Sequence, residues 1–304
     1  MTLSFLLMTN DRLEELKEAL DSIYETITLN KKYDYEIVIL LNGSKEEYQS
    51  QIRNFISEKM DKIKHNIIYS KKNVGVAEGR NILFKNSKAD VLIFLDDDAE
   101  IINKKSFIGN IFSIKNKNPK IGIISVKSLG MGGNIRNKEI PLTKLNKNGN
   151  KSFFTYHFVG VGHIIFREAV KNEKELYPSN LFYGMEEYYL SYKVINNGFK
   201  IYYSNDLIVL HKKSDKTRLK PIEYYIHLAS NKIFIGSLLG DTKLLISHFI
   251  LWNIWGILKC KNFICLIKII KRFNQLNYSK EKYKIELSKG AKKYIKNVGG
   301  KYWY

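Results

Sequence analysis

The sequence predicts an α/β protein with a mostly parallel sheet flanked by helices and a basic helical extension at the carboxy-terminal end. Two observations carry the sheet. Short apolar runs alternate with helix-period segments through the first half of the chain, the pattern of parallel strands covered on both faces. Turn-forming segments follow those runs directly, where a parallel sheet binds its ligands. A third observation carries the extension: beyond His211 the pattern changes to basic linkers and apolar helical stretches. At 304 residues the chain exceeds what one minimal core needs, so one large domain with an appendage is expected.

In order, Leu3–Met8 reads as a buried strand and Arg12–Tyr24 as a helix with Leu13, Leu16, Leu20 and Ile23 on one face. Strand Tyr35–Leu41, helix Glu46–Met60, strand Asn66–Tyr69, helix Val76–Asn86 and strand Val91–Leu95 follow. The segments beyond strand ends are Thr9–Arg12, Asn42–Ser44, Lys71–Gly75 and Asp96–Glu100. Residues 127–152, rich in Gly, Asn and Lys and containing Pro141, read as a loop over a site. Phe158–Phe166 reads as a strand, Glu186–Asn196 as a helix and Lys200–Leu210 as a late strand. A boundary is expected within 211–220, dividing the chain into 1–215 and 216–304.

The formal net charge of +20 implies an anionic partner: nucleic acid, anionic lipid or a phosphorylated substrate. From Lys212 onward there are 20 Lys/Arg and 5 Asp/Glu, so most of the excess lies outside the sheet region. A nucleic-acid binder would interleave basic and aromatic residues across one platform. The charge instead sits apart from the strand-end loops, and nucleic acid is not expected as a partner. Cys260 and Cys265 are too few for a disulfide scaffold and fit a reduced, cytoplasmic setting. The opening residues carry no basic run or small-residue cleavage site, so no signal peptide is expected. Leu244–Leu258 is uncharged and contains Trp252 and Trp255, but its 15 residues fall short of the roughly 20 that span a bilayer. It fits a helix lying in a membrane interface, or a core helix packed on the catalytic domain or another subunit.

Asp96-Asp97-Asp98 directly follows the apolar run Val91–Leu95. Adjacent carboxylates repel unless a cation or strong donors neutralise them. In extended backbone Asp96 and Asp98 point one way and Asp97 the other, so one hard divalent ion can be served from one side. A helix cap or a solvated turn is the competing reading. Glu186-Glu187 lies among Phe182, Tyr183 and Met185, and desolvation there raises a carboxylate's pKa toward that of a general base; a pair opening a helix is the alternative. In Asn73–Asn81, Gly75 permits an unusual turn and Arg80 offers a guanidinium suited to diphosphate. Gly160 and Gly162 allow backbone to approach a ligand, or mark a kinked strand. His211 ends an apolar run and becomes a metal ligand if the fold brings it to the triplet.

The order of these features resembles the family 2 glycosyltransferases of the GT-A fold, particularly bacterial polysaccharide and rhamnosyltransferase-type members. The resemblance spans roughly residues 2–235: the opening strand and nucleotide loop Leu3–Arg12, the Asn-Gly-Ser turn in Tyr35–Ser44, Asn73–Asn81, the DxD strand end Phe94–Ala99, the glycine-rich Gly160–Arg167, the acidic-pair helix Phe182–Lys193 and Val209-Leu210-His211. It implies a nucleotide-sugar half at about 1–100 and an acceptor half at about 101–215. It also implies that Asp98 is the main ligand of Mn2+ or Mg2+, with Asp96 on the ribose or the metal and His211 on the metal or diphosphate. Glu187 is then the base that deprotonates the acceptor hydroxyl, with Glu186 beside it and Tyr183, Gly160 and Gly162 on the acceptor side. Thr9, Asn10, Arg12, Asn42, Asn73, Gly75, Arg80 and Asp97 fall on the nucleotide-sugar side, Arg80 neutralising donor phosphates and Asp97 giving local support.

The implied reaction is inversion at the anomeric carbon, from a UDP- or dTDP-sugar to a glycan acceptor. A lipid-linked acceptor would place the chain in the cytoplasm, peripheral to the inner face of an anionic membrane. A protein or peptide acceptor, and an anionic-polymer-binding protein without catalysis, are the alternatives. The chain departs from the family at Leu41, where an acidic residue commonly reads the nucleobase; either Asn42 substitutes or the donor is not the usual UDP-sugar. A second departure is Tyr189, where many sugar-polymer members carry an Asp.

Overall fold

A computed structural model describes residues 1–212 and 219–301. Its strands are β1 (Thr2–Thr9), β2 (Asp34–Asn42), β3 (Lys64–Ser70), β4 (Val91–Asp96), β5 (Ala99–Ile101), β6 (Ile121–Leu129), β7 (Phe153–Thr155), β8 (Gly162–Phe166) and β9 (Lys200–His211). The helices are α1 (Leu13–Leu29), α2 (Glu46–Lys59), α3 (Val76–Lys85), α4 (Lys104–Lys117), α5 (Glu186–Asn196), α6 (Pro221–Leu238), α7 (Thr242–Cys260), α8 (Ile264–Asn277), α9 (Lys280–Tyr283) and α10 (Lys289–Asn297).

One sheet runs in the order β3-β2-β1-β4-β8-β6-β9-β5, with β7 on β9. The expected parallel arrangement holds across β3, β2, β1 and β4, where helices cross between successive strands. Past β4 the sheet is mixed: β8 is antiparallel to both β4 and β6, β6 is parallel to β9, and β5 and β7 are antiparallel to β9. Two expectations change here. The strand β6 extends to Leu129, so the loop expected over 127–152 starts later, and the run Phe158–Phe166 pairs as a strand only from Gly162. The three-residue strands β5 and β7 are too short to show a period in sequence.

The alternation of strand residues divides the core. On β1, Leu3, Phe5 and Leu7 join Ile37, Ile39 and Leu41 of β2 in a layer with α1, α2 and α4. From the opposite face Leu6, Val38, Leu40, Leu92 and Phe94 pack with α3, α5 and the carboxy-terminal helices. Ile226, Ala229, Ile233 and Phe234 of α6 therefore share one core with Tyr189, Leu190 and Val194 of α5. The boundary expected at residue 215 falls in 213–218, outside the described residues. Among the described residues no helix is long and apolar enough to cross a membrane.

Candidate active site

The aspartate triplet lies at the turn between β4 and β5, and no helix starts there. The following helix, α4, begins at Lys104 with Asn103 at its cap position, which removes the capping reading of the triplet. Antiparallel pairing of β5 with β9 sets Ala99 opposite His211, and the Lys212 amide donates to the Asp98 carbonyl at 2.9 Å. That register brings the imidazole to the carboxylates. Asp96, Asp98 and His211 each present one ligand atom, all within 4.8 Å of one another. Asp98 is buried, and His211 Nε2 stands 3.3 Å from its Oδ1. Two hard carboxylate oxygens and an imidazole nitrogen on one side of the turn suit Mn2+ or Mg2+.

A residue that carried no sequence signal completes this side. Glu139 sits in a short 3-10 turn, Asn137–Glu139, within the glycine-rich loop. Its Oε2 lies 2.8 Å from His211 Nδ1 and accepts from Ser128 Oγ at 2.6 Å. A carboxylate on Nδ1 leaves Nε2 facing Asp98, the arrangement by which carboxylates orient metal-binding histidines. Burial pulls the His211 pKa down, but hydrogen bonds to Asp98 and Glu139 outweigh it and raise it to about 9. A lone Glu in a polar loop has no period or spacing that would reveal this contact.

The strand ends at Asp96, so Asp97 and Asp98 lie in the turn and the alternation expected of an extended segment does not hold there; Asp97 is not among the three residues that converge. It accepts from Arg12 Nη1 at 2.9 Å, and the same nitrogen reaches Asp98 Oδ2 at 3.1 Å. Burial pushes Asp97 up to about 7, against the pull of Arg12. Asp97, grouped by sequence with the nucleotide-sugar residues, thus fits the support role: a buried carboxylate held by Arg12.

The second half of the site centres on Arg80 of α3. Its Nη1 donates to Glu186 Oε1 at 2.8 Å and lies 3.7 Å from Glu187 Oε1, while Nη2 lies 3.6 Å from Asp96 Oδ1 and donates to the Gly160 carbonyl at 3.1 Å. The resemblance sets Arg80 beside donor phosphates; the contacts it makes within the chain are of another kind. Its side chain is only 7% exposed and its partners are carboxylates from both halves of the site. Gly160 belongs to this junction, since a Cβ there would stand 2.6 Å from both Arg80 Nη2 and Glu187 Oε1. Gly162 does not. It pairs with Leu95 inside the sheet, and a Cβ would meet Val126 at 2.8 Å, so its small size serves core packing rather than a ligand.

Glu186 and Glu187 open α5, where the helix dipole favours negative charge. They differ in access, with side chains 2% and 18% exposed. Burial, followed by the neighbouring Glu187, raises Glu186 to about 8. The chain enters α5 through two consecutive left-handed residues, Gly184 (φ 78°) and Met185 (φ 72°), the latter without glycine's freedom. Asn231 of α6 supports this entry, donating from Nδ2 to the carbonyls of Tyr183 at 2.9 Å and Gly184 at 2.8 Å. Tyr183 packs edge-on to Tyr224 of α6, with ring centroids 5.7 Å apart. Sequence reasoning missed Asn231, because nothing local marks one helix asparagine as the partner of a loop 47 residues earlier.

The turn segments join the two halves. Asn42 donates to Asn73 Oδ1 at 3.0 Å and accepts from the Val74 amide at 2.9 Å, while Asn73 Oδ1 also accepts from the Gly75 amide at 2.9 Å. Asn10 donates to the Asn42 carbonyl at 2.8 Å, and Thr9 is buried at the end of β1. Gly75 (φ 83°) passes so close to Phe182 that a Cβ would stand 2.6 Å from its carbonyl oxygen. Leu41 lies in the core, and the Asn42 amide is committed to the Asn73 turn. The Asn42 side chain thus supports that turn through both its oxygen and its nitrogen.

Comparisons with known proteins place the fold and the family. The chain is 28% identical over 165 residues to an uncharacterised protein of Haemophilus influenzae, covering 51% of this chain and 85% of that protein. In fold it is similar to the Pyrobaculum calidifontis mannosyltransferase PcManGT in complex with GDP-Man and Mn2+ (TM-score 0.60, 13% identity, 99% of this chain and 84% of that one). It is also similar to S. aureus TarS 1–349 in complex with UDP-GlcNAc (TM-score 0.58, 14% identity, 95% of each chain). These likenesses establish the GT-A fold. The glycosyl transferase family 2 model matches residues 4–172, more than half of the chain, and the chain belongs to that family.

Proposed function

We propose that the chain is an inverting, metal-dependent glycosyltransferase that moves a sugar from a nucleoside-diphosphate sugar to an acceptor hydroxyl. Family membership supports sugar transfer. The observation that carries the finer reading is the convergence of Asp96, Asp98 and His211 on one point, with Arg80 linking Asp96 to Glu186 and Glu187 across the cleft. Asp98, Asp96 and His211 would hold Mn2+ or Mg2+, which supplies positive charge for the departing diphosphate oxygens. Glu139 fixes the imidazole. Arg12 holds Asp97 and Asp98 in place. Glu186 takes the short ion pair with Arg80, leaving the more accessible Glu187 to accept the proton of the acceptor hydroxyl. One base serves one displacement, so the anomeric configuration inverts. The donor is read as a UDP- or dTDP-sugar.

The acceptor is read as a glycan carried on a lipid, in bacterial cell-surface polysaccharide or glycoconjugate synthesis at the cytoplasmic face of a membrane. The excess of 20 Lys/Arg over 5 Asp/Glu beyond residue 211 supports that setting. A thermal-shift panel of nucleoside diphosphates with and without Mn2+ tests the donor reading. A stabilisation that requires both nucleotide and metal, and is lost in Asp98→Ala, is expected. Absence of any metal-dependent response would remove the proposal.

A further inference from the structure

Eight of the fifteen large apolar side chains exposed among the described residues lie between Ile246 and Ile267, on α7, α8 and the turn joining them. Both helices pack inward, where Gly256 of α7 stands against Ala229 of α6 and Ile269 of α8. On its outward side α7 presents Ile246, Ile250, Leu251, Ile254 and Leu258, spaced by four, one, three and four residues as one helical stripe. At the turn the exposure is greatest: Leu258 70%, Phe263 70%, Ile264 60% and Ile267 67%. Lys259, Lys261 and Lys268 are exposed among them. From Thr242 to Lys280 the chain has seven Lys/Arg and no Asp or Glu.

This combination selects its occupant. Apolar side chains gathered at one helical turn are costly to leave in water and mark a contact surface. A second copy of the chain, paired about a two-fold axis through this face, would bring two segments together that both carry lysines and no carboxylate to neutralise them. An anionic lipid surface accepts both features, the side chains entering the acyl boundary and the ammonium groups staying among headgroups. A spanning helix is not required, and none of the described helices is long and apolar enough to be one.

We propose that the α7–α8 hairpin docks the chain on anionic membrane, with Leu258, Phe263, Ile264 and Ile267 inserted at the interface and Lys259, Lys261 and Lys268 paired to lipid phosphates. None of these residues belongs to the candidate active site, so the docking and the sugar-transfer reading are tested separately. The experiment is flotation of the full chain with vesicles of phosphatidylcholine alone or mixed with phosphatidylglycerol. Binding is expected on the mixed vesicles, weakening as salt rises and at least about tenfold weaker in the double variant Phe263→Asp/Ile267→Asp. The variant Lys259→Glu/Lys261→Glu loses the preference for the anionic vesicles. Both variants alter exposed side chains, so an unchanged melting temperature and an unchanged metal-dependent nucleotide response show that the fold and site are intact. No binding to anionic vesicles overturns the proposal, as does equal binding to both compositions or equal binding by wild type and both variants. A dimer in sedimentation equilibrium that Phe263→Asp dissociates, without vesicle binding, assigns the face to a second copy instead.

Discussion

The two halves of the site are built by different means. The proposed donor side (Asp96, Asp98, His211) is placed by strand pairing, the register of β5 on β9 setting the imidazole beside the aspartates. The proposed acceptor side (Arg80, Glu186, Glu187) depends on a helix entry of two left-handed residues held by Asn231 from the carboxy-terminal helices. Strand register changes only by slipping a whole residue, whereas a turn supported by one side chain can shift in small steps. The two sides should therefore fail separately, a change on one leaving the other in place. The family match ends at residue 172, so α5, Asn231 and His211 all lie beyond it.

The sharpest break of this comparison is Glu187→Gln. It keeps the shape and removes the base, so kcat should fall by about 10²–10⁴-fold while metal-dependent nucleotide binding stays unchanged. Equal loss of nucleotide binding would mean that the two halves are not separable. Next is Glu139→Gln, which leaves the aspartates intact but frees His211. Metal affinity should weaken by roughly 10–100-fold, read by titrating Mn2+ against the thermal shift. An unaltered affinity would remove Glu139 from the metal side.

Asn231→Ala tests the acceptor side from outside the family-matched segment. Loss of its two hydrogen bonds should cost about 1–3 kcal/mol of stability and lower kcat more than it weakens nucleotide binding. A stability loss with kcat unchanged would make Asn231 a structural residue only. The smallest effect concerns Lys232, whose Nζ lies 3.3 Å from the Tyr188 ring centroid. Burial pushes its pKa down to about 7. The neighbouring His157 and His248 are pushed down to about 3 and about 4, so both stay neutral above pH 5 or so, and burial holds Tyr188 protonated. Between about 7 and the ordinary 10.5 the unfolded chain keeps the Lys232 proton that the folded chain has released. Stability relative to Lys232→Met should therefore rise with pH across that window, measured as the difference in Tm. A difference that is flat with pH would show that the cation–π contact keeps the ammonium charged.

Much of the site was legible before the structure because its residues sit where local rules place them. The triplet follows a continuous apolar strand, Gly75 stands at a turn that needs positive φ, and the acidic pair opens a helix. Arg80 was legible as important but not in its role. A guanidinium suits phosphate and carboxylate equally well, and only the fold shows that Gly160 and Glu186 approach it. Leu244–Leu258 is a similar case. Its composition fits a buried helix and an interfacial one alike, and the packing of α7 shows both, with one stripe on α6 and α8 and the other exposed.

The sequence by itself determined the strand–helix alternation, the carboxylates at a strand end, the acidic pair at a helix start and the cationic carboxy-terminal third. These follow from periodicity, turn chemistry and charge, which act over a few neighbouring residues. Only the tertiary structure decided that the sheet turns mixed beyond β4, that Glu139 reaches His211 across 72 residues, and that Asn231 supports the entry to α5. Each is a contact between distant segments, set by how the two core layers pack on the sheet, and no local pattern encodes which distant side chain will arrive.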